Sequence, residues 1–171
     1  MANTFTLISS VTVGGGGAAN VEFTNIPQTY TDLIVLSSLR QGGSQTHGIT
    51  FNNDSSTSNY VFKRVYGLGS DGAGSDGSSN SGYINPIGVN GSSQTANTFG
   101  NLSIYIPNYT SSNYKSISCE GVSENNGNSD AIVALTAGIW NSTSAITSLK
   151  ITPDTNYVQH STAYLYGISN A

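Results

Sequence analysis

Apolar and polar residues alternate with a period of two along most of this chain. In TFTLISSVTV the alternation sets Phe5, Leu7, Val11 and Val13 on one face, with Thr and Ser on the other. NLSIYIP turns Leu102, Ile104 and Ile106 inward and leaves Ser103 and Tyr105 outward. DAIVALTAGI aligns Ala131, Val133, Leu135, Ala137 and Ile139 as a core-facing row, while SLKIT and TAYLYGI align Leu149 with Ile151 and Ala163 with Leu165. Such alternation belongs to half-buried antiparallel strands, because successive side chains leave a strand on opposite faces. No segment carries a sustained apolar stripe at helical spacing. The pattern predicts an all-β sandwich or barrel of about nine or ten strands. They are drawn from segments near 4–13, 19–25, 31–40, 48–52, 59–66, 83–89, 99–106, 114–122, 131–140, 145–152 and 162–168.

The breaks have their own chemistry. Gly14 to Gly17 permits a close backbone turn. Pro27 and Pro107 end strands, since proline cannot donate to a ladder. PNYTSSN and ENNGNSD read as loops between well-patterned strands, and no shift in composition divides the chain, so residues 1–171 form a single domain. The longest break, GLGSDGAGSDGSSNSG from Gly67 to Gly82, invites a metal or phosphate reading. Asp71 and Asp76 offer two oxygen ligands, but the further carboxylates of a calcium loop are missing. No Lys-Ser/Thr pair or helix follows the glycines to hold a phosphate. The stretch is expected to be a mobile Gly/Ser tether between strands.

Composition narrows the function. Of 171 residues, 36% are hydrophobic and only 8% charged, with a formal net charge of −4, so the surface is neutral and rich in hydroxyls and amides. The five basic residues, Arg40, Lys63, Arg64, Lys115 and Lys150, are too few and too scattered to release counterions from nucleic acid. The single cysteine, Cys119, alternates with Ile117 and is expected to be a small buried apolar residue. MANTFTLISSVTV lacks the basic start and continuous apolar stretch of a secretion signal, and no run reaches membrane-spanning length, so a cytoplasmic start without membrane insertion is expected.

No catalytic constellation emerges. A G-x-S-x-G elbow is absent, and Ser161 beside His160 is a neighbour pair and not a triad. His47, in GGSQTHG, reads as an exposed loop residue, and neither histidine has metal-ligand spacing. Glu120 and Glu124 read as solvated carboxylates around a turn, and a glycan-degrading activity would have to rest on Glu120 or Asp130. No catalytic, cofactor or metal residues are assigned. The N-x-S/T triplets at Asn53, Asn90, Asn101, Asn108 and Asn141 follow from the abundance of Asn, Ser and Thr. Tyr109, Tyr114 and Tyr157 lie among polar loop residues, where tyrosine serves either as contact surface or as cross-strand packing.

Three blocks carry a resemblance: TFTLISSVTV leading to VEFTNIPQTYTDLIV, then FGNLSIYIPNYTSSNYKSIS, then STAYLYGI. Together they resemble small virion structural proteins of tailed bacteriophages, especially of marine and cyanobacterial hosts, over most of the chain. The resemblance implies a jelly-roll-like antiparallel β-sandwich, often trimeric, with no catalytic residues. It implies a place on the virion, as a capsid decoration (cement or head-surface) protein or as an appendage domain, with the major capsid protein or other virion proteins as partners. The expected function is a non-enzymatic capsid decoration protein assembled in the host cytoplasm. The alternative is a tail-fibre or appendage module that grips host surface glycan through Tyr109, Tyr114 and the long loops.

Overall fold

The structure is a computed structural model and describes residues 4–69, 72–126 and 131–169. Eleven strands follow in chain order, and no helix occurs among the described residues. They are β1 (Phe5–Thr12), β2 (Val21–Phe23), β3 (Asp32–Leu39), β4 (His47–Phe51), β5 (Tyr60–Leu68), β6 (Gly72–Ser81), β7 (Gly100–Ile106), β8 (Lys115–Ser123), β9 (Ile132–Trp140), β10 (Leu149–Pro153) and β11 (Thr162–Ile168). Eight of them form one antiparallel sheet in the order β1-β11-β3-β7-β8-β9-β5-β6. The other three form a second sheet with β10 between β2 and β4.

The small sheet buries Val21, Phe23, Ile49, Phe51, Leu149 and Ile151 in one hydrophobic core with Leu33, Val35, Leu102, Ile104 and Leu165 of the large sheet. This is the predicted all-β sandwich. Three strands cannot cover eight, so connections complete the inner layer with Ile26, Ile84, Val89, Tyr109, Ile146 and Tyr157, all buried. Trp140, Tyr60 and Phe51 form an aromatic cluster with ring centroids 5.5–6.5 Å apart. Asp54 ties it down, accepting from Trp140 Nε1 at 2.8 Å on its carboxylate and from the Tyr60 hydroxyl at 2.9 Å on its backbone carbonyl.

Segment 83–89 does not form the expected strand. Only Ile84 pairs, in an isolated antiparallel bridge with Ile49, and the residues beyond it lie on the inner face of β7 and β8. The reason is Gly121: a Cβ there would sit 1.6 Å from the Ile87 carbonyl oxygen, so the bare strand backbone is what lets the segment descend. Asn90 then locks it, donating to Thr98 Oγ1 at 2.7 Å and accepting from the Glu124 N–H at 3.2 Å.

The Gly/Ser stretch is also corrected. Residues Gly72–Ser81 are strand β6, paired to β5 from Leu68↔Gly72 to Tyr60↔Ser81, and they form one edge of the large sheet instead of a mobile tether. Glycine is a poor strand former, but β6 is exposed along most of its length and is held by its backbone pairing to β5, which needs no side chain. Arg64 stabilises the pairing, its guanidinium donating from Nη2 to Asp76 at 2.8 Å. Asp76 is therefore committed to an ion pair, and Asp71 lies outside the described residues.

Candidate docking surface

The parity of β9 and of the first half of β1 is the reverse of that expected, while Val11 and Val13 face the core as their spacing requires. In β9 the buried residues are Ala134, Thr136, Gly138 and Trp140, while Val133, Leu135, Ala137 and Ile139 point outward. Trp140 belongs in the aromatic cluster, and Gly138 is small because a Cβ would lie 2.6 Å from Ile84 Cδ1. In β1 the register shifts between Leu7 and Ser9, so Phe5 and Leu7 are exposed while Ile8 and Val11 pack against the core. A one-residue slip moves every side chain to the other face, and a bulge makes that slip midway along a strand.

The outward face of the large sheet is consequently aliphatic. One row across the strands runs Tyr164, Leu36, Ser103, Glu120, Leu135, Val65. Val133, Leu135 and Val65 are 58%, 55% and 56% exposed, and Val122 stands directly across from Val133, while Ile139 lies farther along β9 beyond the row of Lys63, Ala137 and Ser118. Leu7, Leu36, Tyr105 and Tyr164 form a second apolar field nearer β1. A polar seam of Ser103, Ser118 and Glu120 separates the two fields. Beyond Val65 the sheet falls away, because β6 offers only Ala73, Ser75 and Gly77 on this side, and a shallow hollow of about 490 Å³ opens against Val133 and Leu135. Contiguous exposed apolar surface of this kind marks interaction sites, since each fully buried Leu or Val side chain contributes ~1.5–3 kcal/mol.

The other residues singled out in the sequence do not converge. Cys119 is buried as expected, and burial pushes its thiol up to about 12. Ser161 is buried with its Oγ hydrogen-bonded to the Arg40 carbonyl at 3.1 Å, while the adjacent His160 is exposed. Glu120 stands exposed in the middle of β8, and Glu124 lies past its end, its carboxylate accepting from the Asn126 N–H. Asp130 lies outside the described residues. His47 is not an exposed loop residue: it begins β4 and is buried, with Nδ1 3.2 Å from the Gln45 carbonyl. Tyr109 and Tyr157 are buried core residues, so of the three tyrosines only Tyr114, 62% exposed, is a surface aromatic. Tyr109 fills the space under the β7–β8 loop, its hydroxyl donating to the Pro27 carbonyl. That burial removes half of the aromatic pair that a glycan grip at Tyr109 and Tyr114 would need. Lys115 is likewise buried, with Nζ capped by the Ser111 carbonyl at 2.8 Å, and burial lowers its pKa. Among the described residues no group of three His, Cys, Asp or Glu is placed to hold a metal ion.

The exposure of Leu135, Val65 and Val133 was not legible, because both parities of β9 contain apolar residues. The available signal was Trp140, whose size demands the core and fixes the parity of every residue before it. No protein-family model matches the chain, and no curated protein matches it.

Proposed function

We propose that the protein is a non-enzymatic structural protein of a tailed-bacteriophage virion, a decoration protein held on the capsid exterior by the outward face of its large sheet. The observation that carries this reading is the aliphatic field of Val65, Val133, Leu135 and Val122, set on the large sheet and open to solvent. The chemistry of the face selects the occupant. Membrane headgroups and nucleic acids are anionic, whereas this chain has a net charge of −4 and its outward face sets Glu120 between the two apolar fields, with one cation, Lys63, beside Val65. A protein surface with aliphatic side chains and a donor opposite Glu120 fits it, and the block resemblance makes that surface the major capsid protein. The trimer implied by the same resemblance would add avidity, since symmetric display multiplies modest contacts. Purified protein mixed with expanded, undecorated capsids of its phage should bind saturably at a fixed ratio to the capsid subunit. Failure to sediment with them refutes the reading.

A further inference from the structure

The small sheet turns a different surface to solvent, on the layer opposite the docking face. There Tyr83 is held with unusual firmness for an exposed aromatic. Its neighbour Ile84 is buried in the core and exchanges two backbone hydrogen bonds with Ile49, at 2.8 and 3.0 Å. Ser81 Oγ accepts from the Tyr83 N–H at 3.3 Å and donates to its carbonyl at 2.7 Å. The ring is seated on Gly48 of β4: a Cβ at that position would lie 2.9 Å from Tyr83 Cγ and Cδ2. One side of the aromatic is thus fixed against bare strand backbone, and the residue remains 40% exposed.

Beside it lies a groove of about 510 Å³, lined by Thr50, Thr57, Thr152 and Asp154 together with Tyr83. The Asp154 carboxylate is oriented by Ser44, accepting from its hydroxyl at 2.8 Å and its N–H at 3.1 Å. His47 starts the same strand, but its imidazole leaves β4 on the core side with Ile49 and Phe51, opposite Gly48 and Thr50, so it takes no part in the groove. The groove therefore combines a pre-set aromatic, several hydroxyls and one carboxylate.

We propose that this groove binds an uncharged saccharide, with a pyranose ring stacked on Tyr83 and its hydroxyls bonded to the threonines and Asp154. Sugar rings present apolar C–H faces and dense hydroxyls, and sites that take small ligands pair apolar area with a few fixed polar groups. Asp154 is the one carboxylate in the lining, and the cation on this face, Lys150 opposite Thr50, is held by Asn53 Oδ1 at 2.8 Å and paired with Glu22, so acidic sugars and phosphates are disfavoured. This site is independent of the docking reading: it sits on the other layer and is tested on the isolated protein.

Saturation-transfer NMR with cellohexaose, maltohexaose, laminarihexaose, chitohexaose and an oligoguluronate distinguishes the outcomes. At least one of the four neutral oligomers should bind, and oligoguluronate should not. Tyr83→Ala should weaken that binding at least about tenfold, and Tyr83→Phe should keep it. Gly48→Ala, which lifts the ring without removing it, should weaken binding as well and covers the case in which Tyr83→Ala disturbs the fold. Binding of none of the neutral oligomers at about 10 mM, equal binding of oligoguluronate, or binding unchanged in both Tyr83→Ala and Gly48→Ala overturns the proposal.

Discussion

His47 offers a stability test whose size follows from its surroundings. It is fully buried; burial disfavours its charged form, the Gln45 carbonyl partly opposes this, and the positive charge of Arg64 lowers it further. Together these bring the pKa from 6.5 to about 4. Between those values the unfolded chain takes up a proton that the folded protein refuses. The stability associated with His47 is thus fully present above pH 6.5, declines as the pH falls, and stops declining once the folded imidazole protonates near pH 4. At about 1.4 kcal/mol per pH unit, the span amounts to roughly 3 kcal/mol, a large part of the 5–15 kcal/mol typical of a domain. Carboxylates do not mask it. Burial works to raise Asp54, but hydrogen bonds from Trp140, Asn59 and Ser56 outweigh it and hold the group at about 2, so Asp54 acts below the histidine window. The assay is urea unfolding between pH 4 and 8, followed by fluorescence of the single tryptophan, Trp140, for wild type and His47→Asn. Wild type should lose about 3 kcal/mol more than the variant between pH 7 and 4. Parallel curves, or an imidazole that titrates near 6.5 by NMR, would refute the reasoning.

Two further substitutions examine how the core is closed. Gly121→Ala places a methyl 1.6 Å from the Ile87 carbonyl oxygen and 2.8 Å from Gly88 Cα, backbone atoms that cannot swing aside. It should cost at least about 3 kcal/mol, seen as a large fall in melting temperature. Gly67→Ala, with nothing within 4 Å, should change it little, and similar melting of the two variants would contradict this packing. Trp140→Phe removes the 2.8 Å bond to Asp54 and should cost about 1–3 kcal/mol. The Asp54 carboxyl should then rise from about 2 toward the usual range, measured by carbon-detected NMR titration. Because a depressed carboxyl stabilises the fold above its unfolded pKa and loses that effect as pH falls, the variant should also be less sensitive to acid there. An unmoved Asp54 titration would show that Trp140 does not set it.

The sandwich was legible because most strands alternate cleanly: Leu102, Ile104 and Ile106, Leu149 and Ile151, and Ala163 and Leu165 all face the core as their spacing requires. What was misread traces to particular residues. The outward row of β9 is richer in branched apolar side chains than its inward row, so hydrophobicity alone picks the wrong parity. Strand β6 has no alternation to detect, since its pairing depends on backbone bonds and on Arg64 with Asp76. Segment 83–89 has strand-like residues, but Gly121 admits it to the sheet's inner face and Asn90 fixes it there. His47 and Tyr109 occur in polar loop sequence, yet both are drawn inward: His47 leaves β4 on the core side with Ile49 and Phe51, and Tyr109 fills core that the small sheet leaves uncovered. The docking face and the Tyr83 groove depend on which side of a strand a residue leaves, and that is decided by contacts distant in the chain.

Sedimentation of wild type and Leu135→Asp with expanded, undecorated capsids tests the docking face most directly. Leu135 is half-exposed, so the variant should melt like wild type while a carboxylate is set into the middle of the aliphatic field. The wild type should bind to saturation, and Leu135→Asp should bind at least about tenfold more weakly. Equal binding by both proteins would contradict the account.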